Sequence, residues 1–224
     1  MFEISDTWRI TYPTASVGVL AMGGVQNLEF CPALETEKER LESELRARFT
    51  GGDRKALSAL PTLQCYAAYL KPFNKNYHVL FQLESVALKG KPIPRVAALV
   101  EAMFMAELQS QLLTAGHDLD HLELPVRLEI AAGSESYSLM NGHDQILKAG
   151  DMYIADRQGI ISSIIYGPDQ RTCITLHSTR VIFTIYAPPG ISPAQVANHL
   201  ERIEGTVLLI SPKAITELKQ VYEA

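Results

Sequence analysis

The sequence contains little cysteine, with only Cys31, Cys65 and Cys173 among its 224 residues. The three are odd in number, lie far apart and include no Cys-x-x-Cys spacing, so neither a disulfide framework nor a zinc site is predicted. We expect reduced, buried thiols, as in proteins of a reducing compartment. We also expect no bound metal and no cofactor.

Long apolar runs are also missing. A membrane-spanning helix needs roughly 20 apolar residues, and even the segment 96–113 is interrupted by Glu101, Glu107, Gln109 and Gln111. The first six residues, Met-Phe-Glu-Ile-Ser-Asp, lack the basic and apolar regions of a secretion signal. We predict a cytoplasmic protein with no membrane partner.

Basic residues are too few for a broad phosphate-binding surface. Lys and Arg number 20 against 25 Asp and Glu, which gives a net charge of −5. Sequence-independent affinity for nucleic acid comes mainly from cations that neutralise phosphates. We therefore predict no DNA partner, and any contact with RNA must be local.

The composition is otherwise that of an ordinary globular protein, with 47% hydrophobic and 20% charged residues. A chain of this length is at the upper end of what one core supports, so we predict one compound domain over residues 1–224. Within it we distinguish an N-terminal strand-and-helix part (1–88), a core (89–210) and a C-terminal helix (211–224).

Alternating strand-type and helix-type segments predict an α+β fold with mixed or antiparallel sheets. Apolar runs and turn residues predict strands at 8–12, 17–22, 126–130, 137–140, 152–155, 160–166, 180–186 and 206–210. Amphipathic segments and capping residues predict helices at 33–49, 57–70, 77–88, 95–114, 192–203 and in the last residues. We expect the long helix 95–114 to end at Ala115-Gly116.

The densest group of ionisable residues is Gly-His-Asp-Leu-Asp-His at 116–121, which we expect in a loop directly after the long helix. His117 and His121 are four residues apart, but outside a helix this spacing does not place both rings on one face, so a metal site is not favoured. Either Asp118 or Asp120 caps the backbone and the histidines lie at the surface, or His117 lines a pocket. No Gly-x-Ser-x-Gly motif marks a nucleophilic serine, and the residues alone leave the function open.

Several short motifs follow one another in the second half of the sequence. They are Lys-Gly-Lys-Pro-Ile-Pro-Arg (89–95), Gly-His-Asp-Leu-Asp (116–120), Leu-Glu-Ile-Ala-Ala-Gly (128–133), Asn-Gly (141–142), Tyr-Ile-Ala-Asp (153–156), Arg-Thr-Cys-Ile-Thr (171–175) and Ser-Thr-Arg-Val-Ile-Phe (178–183). Their order and spacing resemble the tRNA-binding and editing module of the phenylalanyl-tRNA synthetase β subunit, formed by its third and fourth domains. The stand-alone proteins built from that module are more similar still.

The resemblance implies sheets packed on each other with helices outside, and a pocket. In the synthetase this pocket admits the 3′ end of a mischarged tRNA and hydrolyses its tyrosyl ester, and His117 matches a histidine that lines it. The sequence departs from the family at two positions. Met103-Phe104, or Met105-Ala106 if the gap is placed differently, replaces a Thr-Asn pair. Tyr166-Gly167-Pro168-Asp169 replaces a Gly-Gly-Glu whose carboxylate binds the tyrosine hydroxyl in the synthetases. A site without its hydroxyl-reading partner loses discrimination. Aminoacylation belongs to other synthetase domains and is not expected here.

We therefore predict a tRNA- or RNA-binding module without aminoacylation activity, whose partner is the 3′ end of a tRNA or aminoacyl-tRNA. The alternatives are a trans-acting hydrolase of misacylated aminoacyl-tRNA, or a module that binds a small molecule, an amino acid or a partner protein through the same cleft. The residues assigned to the cleft are His117, Asp120, Tyr137, Asn141, Tyr166, Asp169 and Thr175. Those assigned to RNA are Arg95, Arg127, Arg171 and Arg180.

Binding of tRNA by this chain is expected to depend only weakly on salt. Neutralising Z phosphates gives a slope of about −0.7Z on single strands and −0.9Z on duplexes in log affinity against log salt concentration, so two or three contacts give roughly −2. Titrations of tRNA at several salt concentrations measure this slope. A slope steeper than about −5 contradicts a local contact.

Overall fold

A computed structural model describes all of the chain, residues 1–224. The helices are α1 (Asp6–Thr11), α2 (Pro32–Arg48), α3 (Arg54–Ser58), α4 (Pro61–Leu70), α5 (His78–Leu83), α6 (Ala98–Ser110) and α7 (Pro193–Ile210). The strands are β1 (Phe2–Ile4), β2 (Ser16–Gly23), β3 (Leu113–Asp118), β4 (Val126–Ile130), β5 (Ser136–Ser138), β6 (Asp144–Ile146), β7 (Met152–Ala155), β8 (Ile160–Ser163), β9 (Gly167–Pro168), β10 (Arg180–Ala187) and β11 (Ile215–Glu223). Short 3₁₀ turns occupy Lys71–Phe73 and Leu119–His121, and a π-helical turn, Glu84–Leu88, follows α5.

The strands form three sheets. A five-stranded sheet has the order β1-β4-β7-β8-β9, a four-stranded sheet the order β11-β2-β10-β3, and β5 pairs with β6. Only β1 and β4 run parallel; the other neighbours are antiparallel. The predicted α+β class with mixed and antiparallel sheets is confirmed.

The five-stranded and the four-stranded sheets each draw strands from both halves of the chain. In the five-stranded sheet β1 pairs with β4, and in the four-stranded sheet β2 lies between β10 and β11. One hydrophobic cluster of 54 buried residues extends from Phe2 to Ala214. Strand pairing and the core therefore both cross the predicted boundary at residue 88. No helix has the length and apolar character that crossing a membrane requires.

The predicted strand at 8–12 is wrong, because this segment forms helix α1. Ser5 is its N-cap, and the Ser5 Oγ accepts a hydrogen bond from the Trp8 backbone amide at 3.2 Å. The Trp8 ring is fully buried, and its Nε1 donates to the Met152 sulfur at 3.2 Å. The cap and the single large apolar side chain determine the local structure more strongly than the short apolar alternation.

The predicted tail is also wrong in two places. Residues 206–210 continue helix α7, whose buried stripe includes Val196, Leu200, Ile203, Val207 and Ile210 at helical spacing. The predicted C-terminal helix is instead strand β11, which pairs with β2. Its Glu, Leu, Lys and Gln residues favour helix in isolation, but the backbone hydrogen bonds to β2 override that weak preference.

The long helix ends earlier than predicted, and this moves His117. Helix α6 stops at Ser110, and Gln111 adopts the left-handed conformation with φ 60° while its amide donates to the Glu107 carbonyl. Two residues later β3 begins, so Ala115-Gly116 is not a helix cap. His117 lies in β3, an edge strand of the four-stranded sheet, opposite Ile182 of β10, rather than in a loop.

We expect Gly18→Ala to destabilise the protein. A Cβ at Gly18 on β2 would lie 2.6 Å from Val196 Cγ1 and 3.3 Å from Leu200 Cδ1, so α7 would have to move off the sheet. The free energy of unfolding, measured in urea, should fall by about 1–3 kcal/mol. Gly205→Ala is the control, because Gly205 of α7 faces open space and alanine there should stabilise the helix by up to about 1 kcal/mol. Unchanged stability of Gly18→Ala would contradict this close packing.

Candidate functional site

His117 is fully buried, and its ring is held by Thr172. The His117 Nδ1 lies 2.7 Å from the Thr172 Oγ1, and the His117 Nε2 has no hydrogen-bond partner. The Thr172 hydroxyl donates its one proton to Asp169, so the His117 Nδ1 must carry the hydrogen and donate it to Thr172. Burial, with the nearby Arg171 charge, lowers the pKa of His117 to about 3, which keeps the ring neutral.

Asp169 and Arg171 anchor the loop that carries Thr172. The Asp169 carboxylate also accepts the Thr172 backbone amide at 3.2 Å, and burial raises the pKa of Asp169. Arg171 binds both carboxylate oxygens of Asp156, at 2.9 and 2.8 Å. Burial raises the pKa of Asp156, but hydrogen bonds from Arg171 and from backbone amides outweigh it and the net shift is downward. These ion pairs hold the loop against β3 and β7.

Three predicted residues meet at one small polar cavity. A space of about 410 Å³ is lined by Tyr137, Asp169 and Arg171 together with Ser136, Ser138, Gln158, Gly159, Ile160 and Gln170. The Tyr137 hydroxyl donates to the Gly167 carbonyl at 2.6 Å. His117 does not line this cavity. Its ring is fully buried between β10 and the Thr172 loop, and its role as a pocket wall stays a prediction.

The other predicted cleft residues lie elsewhere. Asn141 is exposed in a turn, where its Oδ1 accepts the His143 amide at 3.1 Å. Asp120 is exposed and pairs with Arg180 at 3.0 Å. The Thr175 Oγ1 accepts the His177 amide at 3.2 Å within a turn. Tyr166 is half-buried, and its ring centroid lies 5.0 Å from the Lys75 ammonium.

The four arginines assigned to RNA are all engaged by carboxylates. The pairs are Arg95 with Glu35 at 2.8 Å, Arg127 with Glu3 at 2.7 Å, Arg171 with Asp156 at 2.8 Å, and Arg180 with Glu217 at 2.6 Å and Asp120 at 3.0 Å. A cation that is already paired gains less from a phosphate, because the carboxylate must be displaced or left beside the new anion. These arginines stabilise loops and strand ends.

Met103 fills the space beside β3. A Cβ at Gly116 would collide with the Met103 sulfur and would lie 2.9 Å from Ile174 Cδ1. Met103 and Phe104 are partly buried against the core. Apolar side chains therefore close this side of β3.

A second cavity, the basic cleft, was not predicted. It has a volume of about 400 Å³ and is lined by Arg54, Lys71 and Lys75, by Ser58, Gln64, Asn74 and Asn76, and by Leu63, Ala67, Tyr77 and Leu80. No aspartate or glutamate lines it. The sequence carries a signal for this cleft: residues 54–83 contain no acidic residue although the chain as a whole is acidic.

The turn after α4 presents the lysines of the basic cleft. Asn74 adopts the left-handed conformation with φ 54° and reverses the chain between Lys71 and Lys75. Neither lysine forms an ion pair, whereas Arg54 pairs with Glu84 at 3.1 Å and stacks on Phe81. Two full positive charges thus face the cavity without a compensating acid.

The wall behind the basic cleft is a buried tyrosine pair with a buried acid. Tyr77 stacks on Tyr66 with ring centroids 4.0 Å apart, and the Tyr77 hydroxyl donates to the Gln111 carbonyl at 2.9 Å. Behind them the Glu107 Oε1 accepts the Thr114 amide at 2.8 Å. Burial raises the pKa of Glu107 to about 8. Glu107 is therefore largely uncharged at neutral pH and does not offset the positive charge of the cleft.

No group of three or more His, Cys, Asp and Glu side chains is placed to hold a metal ion. All three cysteines are free thiols; Cys31 is buried, and Cys65 and Cys173 are half-buried. The absence of a bound metal remains a prediction.

Comparison with known proteins gives little about function. No family model matches the sequence, and no curated protein matches it. Among the solved structures that match is an N-terminal fragment of the phenylalanyl-tRNA synthetase β subunit from Pyrococcus horikoshii, with 8% identity and a TM-score of 0.48. The match covers 97% of this chain and 54% of that one, so the chain spans about half the length of the fragment. A likeness of this degree bears on neither site nor activity.

The buried Glu107 predicts a loss of stability as the pH rises. The folded protein keeps the Glu107 proton to about pH 8, while the unfolded chain loses it near 4.5. Between these values the unfolded state binds fewer protons, so Glu107 lowers the free energy of unfolding by at most about 1.4 kcal/mol per pH unit. In Glu107→Gln this contribution should be absent, and urea unfolding from pH 5 to 8 measures it. Parallel stability profiles for Glu107→Gln and the wild type would show that Glu107 is ionised in the folded state.

Proposed function

We propose that this protein is a cytoplasmic RNA-binding module that holds phosphates of an unpaired RNA strand, such as the 3′ end of a tRNA, in the basic cleft. The observation that carries the proposal is the convergence of Arg54, Lys71 and Lys75 on one cavity without any carboxylate. Cations that neutralise phosphates and release counterions supply most of the sequence-independent affinity for nucleic acid. In a chain with net charge −5, such a group is the natural place for an anion to bind.

Lys71 and Lys75 are the main phosphate ligands in this proposal. Both are exposed and free of carboxylate partners, so an RNA phosphate would replace only water. Arg54 contributes less because it already pairs with Glu84. Two full contacts and one weaker contact agree with the shallow salt dependence expected from the composition.

Tyr166 connects the basic cleft with the part of the chain that resembles the synthetase module. Its half-buried ring lies against Lys75, at the edge of the cleft. An unpaired base stacked on an aromatic ring gains about 1–3 kcal/mol with little preference for sequence. A lysine for the phosphate and a tyrosine for the base together favour a single strand over a duplex. The motifs between 89 and 183 support tRNA as the source of that strand.

Binding is a stronger candidate than ester hydrolysis. A general base must lie within hydrogen-bond reach of the proton that it removes. His117 is buried away from the polar cavity, and Asp169 is bonded to Thr172. Asp169 is the only carboxylate that lines the cavity with Tyr137; its Oδ1 is held by Thr172, and Arg171 lies 3.7 Å from its Oδ2. We assign no catalytic role to these residues.

The double variant Lys71→Gln with Lys75→Gln tests the proposal. Removing two phosphate contacts should weaken binding of a single-stranded RNA about tenfold or more at low salt and make the salt slope shallower by about 1.4. Fluorescence anisotropy with labelled tRNA and a labelled single strand measures both quantities. Lys91→Gln with Lys213→Gln is the matched control: it removes the same charge from two exposed lysines outside the cleft.

Equal losses in the two double variants would mean that net charge, rather than the basic cleft, determines binding. Absence of wild-type binding to charged and uncharged tRNA at low salt would contradict the RNA-binding function itself. Following deacylation of a panel of aminoacyl-tRNAs in the same mixtures tests the hydrolase alternative directly, since that activity would release free amino acid.

A further inference from the structure

A separate cavity of about 310 Å³ lies beside the start of α4, whose following residues line the basic cleft. Thr62 of α4 lines this cavity, while Leu63 and Gln64 line the basic cleft. The polar groups that line it come from α2, α6 and α7 and include two cations and four carboxamides. They are Arg48, Arg202, Gln109, Gln111, Gln195 and Asn198. No carboxylate is among its lining residues, and we call it the amide cavity.

The carboxamides offer both donors and acceptors to the space. The Gln111 Nε2 donates to the Leu108 and Gln109 carbonyls, which leaves its Oε1 as a free acceptor. The Gln195 Oε1 accepts from Ser192, which leaves its Nε2 as a free donor. Asn198 makes no side-chain hydrogen bond within the protein, nor does the Gln109 side chain, so both amide atoms of each are available. Folding therefore satisfies only part of this polar set.

Neither arginine of the amide cavity is neutralised. Arg48 packs on the Phe49 ring at 5.0 Å, and neither Arg48 nor Arg202 forms an ion pair. Two unpaired guanidinium groups beside four carboxamides match a ligand with both an anionic group and a hydrogen-bonding edge. Arginine is well suited to phosphate because its planar fork binds two oxygens at once.

The ring of His199 lines the amide cavity and is held by two hydrogen bonds. Its Nδ1 lies 2.6 Å from the Ser110 Oγ, and its Nε2 lies 2.7 Å from the Thr114 Oγ1. The Ser110 hydroxyl donates to the Ala106 carbonyl at 2.9 Å, so the His199 Nδ1 donates to Ser110 and its Nε2 accepts from Thr114. Both ring nitrogens are used, and Ser110 is not activated as a nucleophile. This arrangement favours binding rather than chemistry.

We propose that the amide cavity binds one adenine nucleotide, with Arg48 and Arg202 on its phosphate and the carboxamides on the edge of the base. A glutamine or asparagine amide makes two hydrogen bonds with adenine, accepting from N6 and donating to N7. Proteins read unpaired RNA bases at such edges. This inference rests on the proposed function in one respect: when the ligand is an RNA strand, the amide cavity recognises a base of the strand whose phosphates bind in the basic cleft. Free AMP has the same chemistry and is the other source of the ligand.

The test compares RNA strands that differ only in base. Oligo(A), oligo(U) and oligo(C) of equal length are titrated at one salt concentration, and AMP is titrated separately. The wild type should prefer oligo(A) by about fivefold or more, which corresponds to one bidentate amide contact. Gln109→Ala with Asn198→Ala should bring the three affinities together without weakening oligo(U). Neither side chain bonds within the protein, so the fold should persist; Gln220→Ala, on exposed strand β11, is the control.

A second double variant tests recognition of the phosphate separately from recognition of the base. Arg48→Gln with Arg202→Gln should weaken AMP at least tenfold and leave adenosine binding nearly unchanged. If AMP competes with oligo(A) for the wild type but not for the carboxamide variant, both ligands bind in the amide cavity. A wild type that binds all three strands equally, or a carboxamide variant that keeps the preference for adenine, would overturn this inference while leaving the RNA-binding function intact.

Failure of the RNA-binding function gives a different result. If the wild type binds no RNA at low salt but binds AMP, and the carboxamide variant abolishes AMP binding, the amide cavity is a site for a free nucleotide. If neither RNA nor AMP binds, the inference is wrong.

Discussion

The structure depends on the reversal at Gln111, because three buried polar groups are satisfied only when the chain turns there. The left-handed Gln111 ends α6 and lets β3 start two residues later. The Tyr77 hydroxyl then reaches the Gln111 carbonyl, Tyr66 accepts the Leu113 amide, and Glu107 accepts the Thr114 amide. Leaving any of these backbone groups unpaired in the interior would cost about 1–3 kcal/mol. The same turn places Tyr77 in the wall of the basic cleft and Gln111 in the amide cavity.

Acidic residues are unevenly distributed along this chain. Where they are abundant, basic side chains form ion pairs that stabilise the fold; where they are missing, basic side chains remain available to bind an anion. In the second half, arginines such as Arg171 and Arg180 lie between carboxylates and fix loops to strands. In residues 54–83 no acid is available, so Lys71 and Lys75 remain unpaired. Glu107, the acid behind this surface, is protonated at neutral pH because it is buried. A local positive surface thus persists on a chain whose total charge is negative.

Sequence patterns correctly predicted the helices and strands that are determined by their own residues. Helix α2 has abundant helix-forming residues, and β2 is an apolar run closed by Gly23-Gly24; both were predicted within a residue or two. The tail was mispredicted because the exposed edge of β2 accepts a strand from almost any residues with free backbone groups. The synthetase-like motifs led to His117, but whether that ring reaches a cavity depends on Met103 and Ile174, which pack beside its strand. The basic cleft could have been found from the missing acids, and the amide cavity could not, because its residues come from four distant segments.

The position of β2 also affects how the protein is made. Strand β2 is synthesised well before its two neighbours in the sheet, because β10 and β11 follow much later in the chain. During translation β2 has neither partner until β10 and β11 have been made, so its eight residues, buried in the folded protein, stay unpaired until then. Contacts this distant in sequence also slow folding, because a large loop must close first. We therefore expect the four-stranded sheet to assemble late, once its last strands have been synthesised.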